Sequence, residues 1–287
     1  MSSTLIQVLE KVRKSGLKNR EKPGDYRNRE GILMCGVCDM PKEKIMQIPE
    51  NSSDIARHFM GKKIWAQCRC DIEKEREREL EDKKQRIEEL RRFAIADENY
   101  LRYNFANDDG ENPTVSDACR KYCENFEKMF KNGMGLLFCG HVGTGKTFYA
   151  GCIANAVVED LYSVYMTNIP NLVDRMGYGQ EEKSHVLNII SHVSLLVLDD
   201  FGIERDTSYS LEKLYEIINT RYQSNKPLII TTNMSVGEMK NHDNIAYKRI
   251  CDRILQMCHP IAVTGQSRRQ RDAEIRKASM NKFLGLN

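Results

Sequence analysis

The chain of 287 residues is long enough for one large domain, or for a standard domain with a small appendage. Its 40% hydrophobic and 30% charged residues are ordinary for a soluble protein, and no apolar stretch reaches the roughly 18 residues needed to span a bilayer, so no membrane partner is expected. A net charge of +3 is too small to require a nucleic-acid partner and is compatible with one.

Residues 1–30 are basic and polar, with a short helical pattern from Leu5 to Val12. They lack the apolar core of a signal peptide, so a cytoplasmic location is expected. In that compartment the ten cysteines read as reduced thiols or metal ligands and not as disulfides. Two pairs stand out, Cys35-Gly36-Val37-Cys38 and Cys68-Arg69-Cys70. Four thiolates in two pairs are the usual way to close a tetrahedral Zn²⁺ site in a segment too small for its own core. The second pair is one residue shorter than the common spacing, and His58 is an alternative ligand. The competing readings are small buried cysteines or a redox pair, although the βαβ context of a redox C-x-x-C is missing. The other six cysteines (119, 123, 139, 152, 251, 258) fall on apolar faces or strands and read as core.

Residues 1–71 are thus expected to form an amino-terminal zinc-binding domain. Residues 72–96 are almost entirely Glu, Lys, Arg and Asp, with Leu80, Ile87, Leu90 and Phe93 sparsely placed. The composition predicts an exposed helix supported by i,i+4 pairs such as Glu79–Lys83, Asp82–Arg86 and Glu88–Arg92. It reads either as a solvated linker or as a coiled-coil or DNA-binding arm. From residue 97 to 287 the pattern is that of an α/β domain. Apolar residues from Val115 to Phe130 recur at helical spacing up to a stop at Lys131-Asn132-Gly133. Short apolar strands at 136–139, 163–166, 194–198, 227–232 and 261–264 then alternate with amphipathic helices, which predicts a parallel sheet covered on both faces.

The first of these strands runs into Gly140-His141-Val142-Gly143-Thr144-Gly145-Lys146-Thr147, the phosphate-binding pattern G-x-x-x-x-G-K-[ST]. The glycines allow turns closed to other residues, so that successive backbone N–H groups can point at phosphates. Lys146 adds a positive charge at the β- and γ-phosphates of ATP, the Thr147 hydroxyl can ligate Mg²⁺, and the following helix aims its positive end at the same anions. About 50 residues later the run Ser194–Leu198 ends in Asp199-Asp200. Asp199 is the expected Mg²⁺-associated acid and Asp200 the expected residue orienting the attacking water. The strand Leu228–Thr232 ends in Asn233, placed to hold that water or to sense the γ-phosphate.

In this order the segments GLLFCGHVGTGKT (135–147), LLVLDDFGIE (195–204), LYEIINTRY (214–222), PLIITTNM (227–234) and YKRICDRILQMC (247–258) resemble the AAA+ ATPases. More narrowly they resemble the DnaC/DnaI-type replicative helicase loaders and the related IstB-type transposition helpers. The resemblance covers roughly residues 97–270. It implies a RecA-like AAA+ P-loop core that hydrolyses ATP between neighbouring subunits, and hence a homo-oligomer, at least transiently. By position Arg253 matches the family's arginine finger, with Arg249 one turn earlier on the same face; both also read as plain solvated residues. The resemblance further implies a replicative DnaB-type helicase and single-stranded DNA as partners, and an amino-terminal domain that contacts the helicase.

Departures exist. Asp200 stands where most AAA+ enzymes carry Glu. The 34 residues after Arg253 are too few for the usual helical lid, so a lid arginine has no secure counterpart beyond Arg268. Arg175 and Tyr178, after the second strand, read either as DNA contacts or as surface residues. The rival functions are a transposition helper, which usually carries a short helical amino terminus, and a binding adaptor whose nucleotide serves only as an assembly switch.

Overall fold

The structure is a computed structural model that describes residues 2–18, 21–47, 49, 53–94, 98–202 and 207–286. It divides into two compact units, Met1–Lys84 and Gln85–Asn287.

The first unit holds α1 (Ser2–Lys18), β1 (Tyr26–Arg27), β2 (Leu33–Met34), β3 (Glu43–Ile45), α2 (Asp54–Arg57), β4 (Lys63–Trp65) and the start of α3 (Arg69–Ala94). Two minimal antiparallel ladders, β1 with β2 and β3 with β4, supply little core. Buried polar links stand in for it. Lys42 is fully buried and bonded to Asp25, while the buried Glu43 carboxylate accepts the Leu33 N–H at 3.1 Å and the Arg27 guanidinium at 3.1 Å.

Helix α3 is the charged segment expected at 72–96; residues 95–97, where the linker was expected to end, lie outside the described residues. Its ion pairs differ from the expected ones. Arg69–Glu73 at 3.7 Å and Arg86–Glu89 at 3.0 Å replace Glu79–Lys83 and Asp82–Arg86, and the Arg92 side chain is outside the described set. Exposed long side chains choose among i+3 and i+4 partners at almost no energetic difference, so spacing alone does not fix the choice. Ile87 and Leu90 pack against the core of the second unit.

In the second unit the rest of α3 is followed by two short 3₁₀ turns, Glu98–Arg102 and Phe105–Asn107. The apolar run read as one helix is two, α4 (Pro113–Glu124) and α5 (Phe126–Lys131). Asn125 leaves helical geometry at ψ +20° and its side-chain amide donates to the Lys121 carbonyl at 2.8 Å, closing α4 locally. Then follow β5 (Gly135–Cys139), α6 (Lys146–Glu159), β6 (Val164–Asn168), α7 (Ile169–Arg175), α8 (Gln180–His192), β7 (Leu195–Phe201), α9 (Ser208–Ser224), β8 (Leu228–Thr232), α10 (Val236–Lys240), α11 (Ile245–Met257), β9 (Cys258–Ala262) and α12 (Arg268–Leu284).

The five strands form a parallel sheet in the order β6-β7-β8-β5-β9. Alternate residues feed two cores. Leu137, Leu196, Leu198 and Ile230 pack under α7, α8, α9 and α11, and Leu136, Phe138, Val197 and Ile229 pack under α4, α5 and α6. A sheet buried on both faces explains why each strand reads as a continuous apolar run. The edge strand was expected at 261–264 and lies at 258–262 instead. Its exposed His259 and Pro260 carry no apolar signal, because an edge strand needs burial on fewer sides and tolerates proline.

Arg221 of α9 is fully buried and donates to the carbonyls of Ile190 at 2.8 Å, Val193 at 2.9 Å, Ser194 at 3.1 Å and Pro227. It thereby ties the chain ahead of β7 to the chain ahead of β8. Burial pulls its guanidinium down to about 9. Replacing Arg221 with Met orphans those carbonyls and should cost about 3 kcal/mol of stability, read from urea unfolding midpoints; a loss below about 1 kcal/mol would show that water takes over the bonds without penalty.

Candidate nucleotide site and cysteine cluster

The phosphate loop links β5 to α6 at the carboxyl edge of the sheet, where open α/β folds place their ligands. Gly143 and Gly145 adopt φ of +85° and +102°. A β-carbon on Gly145 would lie 2.1 Å from the end of the flexible Arg268 side chain, which can shift, so it is the positive φ that calls for glycine here. Gly145 is also the amino-terminal cap of α6 and supplies no side-chain acceptor, leaving the first helical N–H groups directed toward a cleft of about 370 Å³. Gly143, Gly145, Lys146, Thr147, Asp200 and Asn233 line that cleft. His141 and Val142 sit at the exposed tip of the loop, and the Thr144 hydroxyl closes it by donating to the His141 carbonyl at 3.0 Å.

Lys146 is buried, and its ammonium donates to the Gly140 carbonyl, the His141 carbonyl and Asn233 Oδ1, each at 2.8 Å. Burial lowers its pKa. Asp199 is buried as well, and burial raises its pKa above the usual carboxylate range. Its Oδ1 accepts from the Thr147 hydroxyl at 2.9 Å and the Thr231 hydroxyl at 2.6 Å. A carboxylate and a hydroxyl side by side at the start of α6 are hard oxygen donors of the kind Mg²⁺ takes beside substrate phosphates. The β7–β8 register breaks between Leu198 and Phe201, and at this bulge Asp200 takes φ +61°. The break re-aims Asp200 into the cleft while its backbone N–H donates to Thr231 Oγ1 at 3.0 Å. Ile203 and Glu204 of the LDDFGIE segment lie outside the described residues.

Thus Lys146, Thr147, Asp200 and Asn233, brought from three elements, line one cleft, and the buried Asp199 sits behind it bonded to Thr147. Arg249 and Arg253 do not line it. Arg249 is exposed. Arg253 lies over the Tyr215 ring at 4.5 Å and the Tyr222 ring at 5.7 Å, with one buried guanidinium nitrogen lacking a hydrogen-bond partner among the described residues. Arg268 does reach the cleft, where it donates to Asp109 at 2.7 Å. Arg175 is taken up by Glu182 at 2.6 Å and the Tyr165 hydroxyl at 2.6 Å, whereas Tyr178 is exposed. Two site residues escape a linear reading. Thr231 is a polar residue inside an apolar strand, which is a usable signal. Tyr100, whose hydroxyl lies 3.3 Å from Asp199 Oδ2, has none.

In the first unit, Cys35 and Cys38 flank the turn after β2, and Cys68 and Cys70 sit at the start of α3. Their four sulfurs lie within 4.8 Å of one another. Sulfurs of a tetrahedral zinc site, at about 2.3 Å from the ion, stand roughly 3.8 Å apart, so the donor set fits a closed site. Backbone N–H groups of Cys70 and Met40 pull the Cys38 thiol down to about 6, and burial pushes Cys68 up to about 12. His58 is not a member of the cluster; its ring nitrogen is 2.7 Å from Lys62 Nζ and 3.5 Å from Glu10. The other six cysteines form no disulfide among the described residues, and all are buried except the half-buried Cys123.

The model of the IstB-like ATP binding protein family matches residues 75–276. The chain belongs to that family. It is similar to the replicative helicase loader DnaI of Bacillus subtilis, 28% identical over 167 residues, which are 54% of this chain and 52% of the relative. It is also similar to the replicative helicase loader DnaC of Escherichia coli K12, 28% identical over 151 residues, 51% of this chain and 58% of the relative. A protein of Mycobacterium tuberculosis, named by inference as an ATP-binding protein in an insertion sequence, is 27% identical over 143 residues, 48% of this chain and 57% of the relative. The chain therefore spans little more than half the length of these curated relatives. Among solved structures, a crystal structure of the DnaC helicase loader aligns with a TM-score of 0.51 at 25% identity, over 58% of this chain and all of that one. The core is thus the AAA+ fold of that structure. No helix among the described residues is long and apolar enough to cross a membrane.

The IstB-like chain should bind ATP through this cleft. Lys146→Ala is expected to weaken ATP affinity at least about tenfold in isothermal titration, because it removes the one ammonium at the phosphate loop. Unchanged affinity would place the nucleotide elsewhere.

Proposed function

We propose that the protein is a Mg²⁺-dependent ATPase that loads a replicative DnaB-type helicase onto single-stranded DNA. The observation that carries this reading is the similarity over the ATP-binding core to two proteins named replicative helicase loaders, in a chain whose cleft is lined by Lys146, Thr147, Asp200 and Asn233. The phosphate loop and Lys146 hold the triphosphate. Thr147 and Asp199 hold Mg²⁺, which would neutralise charge on the β- and γ-phosphates. Asp200 and Asn233 orient the attacking water. Arg253 belongs to the γ-phosphate of a neighbouring copy, in keeping with its position outside its own cleft and its bed of tyrosine rings. Such a finger is commonly worth several orders of magnitude in rate and makes activity depend on self-association.

Residues 1–71 act as the helicase-contacting module, with structural Zn²⁺ on Cys35, Cys38, Cys68 and Cys70, and residues 97–287 act as the ATPase module; the site of action is the cytoplasm. A transposition role is the second reading, favoured by the insertion-sequence relative.

Elemental analysis should find about one zinc per chain, and Cys35→Ser should abolish it and make the amino-terminal unit protease-sensitive; metal-free wild-type protein with an intact first unit would remove the zinc assignment. The central test is native mass spectrometry of the protein mixed with the replicative helicase of the same organism, with and without ATP. A complex carrying several copies per helicase hexamer is expected. No complex in either condition, from protein that binds ATP, would end the loader reading, and a transposase would be the partner to try.

A further inference from the structure

Asp199 carries two carboxylate oxygens, and its Oδ1 is taken by Thr147 from α6 and Thr231 from β8. The remaining oxygen, Oδ2, faces the hydroxyl of Tyr100 at 3.3 Å, a residue from the 3₁₀ turn ahead of the sheet. We infer that Tyr100 is a positioning residue of the magnesium–nucleotide site, acting by fixing the second oxygen of Asp199.

The turn is held in place for this by the phosphate-loop helix itself. The buried side chain of Asn155, on α6, donates to the backbone carbonyl of Tyr100 at 2.9 Å and to that of Tyr103 at 2.8 Å. One helical turn earlier, Gly151 lets the Tyr103 ring lie directly on the helix; a β-carbon there would stand 2.5 Å from the ring. Glycine inside a helix is disfavoured relative to alanine, and here it permits the close approach. The same helix therefore supplies Thr147 to one Asp199 oxygen and, through Asn155 and the turn, Tyr100 to the other. A carboxylate contacted from three elements is restricted in its rotation, and groups that orient a metal ligand in this way typically matter 10–100-fold for metal affinity.

The inference rests on the Mg²⁺-ATP reading. The test measures binding of a methylanthraniloyl-labelled ATP to the full chain, in EDTA and in excess Mg²⁺, for wild type, Tyr100→Phe and Gly151→Ala. Both variants are expected to match wild type within about twofold in EDTA and to bind about tenfold more weakly in Mg²⁺. Gly151→Ala is the independent check, since it leaves every hydroxyl in place and displaces only the turn. Wild-type affinity of Tyr100→Phe in Mg²⁺, or an equal loss in both conditions, would overturn the inference, the latter meaning a merely structural role. Binding to wild type that Lys146→Ala abolishes keeps the ATP reading standing whatever Tyr100 does. Binding that ignores Mg²⁺ in wild type overturns both.

Discussion

Two opposite charges buried at one end of a parallel sheet govern this molecule. Lys146 and Asp199 are each nearly inaccessible, and burial disfavours the charged form of both. They do not pair directly. Lys146 spends its three donors on two loop carbonyls and Asn233, and Asp199 gathers hydroxyls from Thr147, Thr231 and Tyr100. A buried charge left without such partners costs several kcal/mol, so the surrounding elements are constrained to deliver them. The bulge in β7, the polar threonine in β8 and the turn ahead of α4 all sit where this demand is met. The outcome is a cleft whose dipoles are oriented before any phosphate arrives, the condition under which electrostatic stabilisation is most effective.

Elsewhere the fold solves the same problem by different means. Arg221 is surrounded by carbonyl oxygens and not by a carboxylate, so its charge doubles as a clamp on the starts of two strands. The first unit, with only short ladders, relies on the buried Lys42–Asp25 pair and on a four-sulfur cluster. Small units cannot bury enough apolar surface to be held by packing alone, and polar or metal cross-links take that part.

The arginines separate by environment. Arg268 is anchored to Asp109 at the cleft wall, and Arg175 is neutralised by Glu182. Arg253 instead rests on aromatic faces, which hold a guanidinium in place while leaving its charge uncompensated. That difference cannot be seen from residue type, and the proposed role of Arg253 at a neighbouring copy rests on it.

The phosphate loop, the double acid in β7 and the parallel α/β core were legible in the sequence because each is local. Glycine spacing dictates backbone freedom within eight residues, and strands buried on both faces must be apolar throughout. The Cys35/Cys38 and Cys68/Cys70 pairs were legible for the same reason. The edge strand, the break at Asn125 and the surface ion pairs on α3 were less so, since each is decided by small energy differences between neighbouring alternatives. Tertiary structure alone decided that Asn233 meets Lys146 across 87 positions and that Tyr100 meets Asp199 across 99. Such contacts repay the burial of a charge, a cost that exists only once the chain has folded around it, and no pattern in the linear sequence records who will meet it.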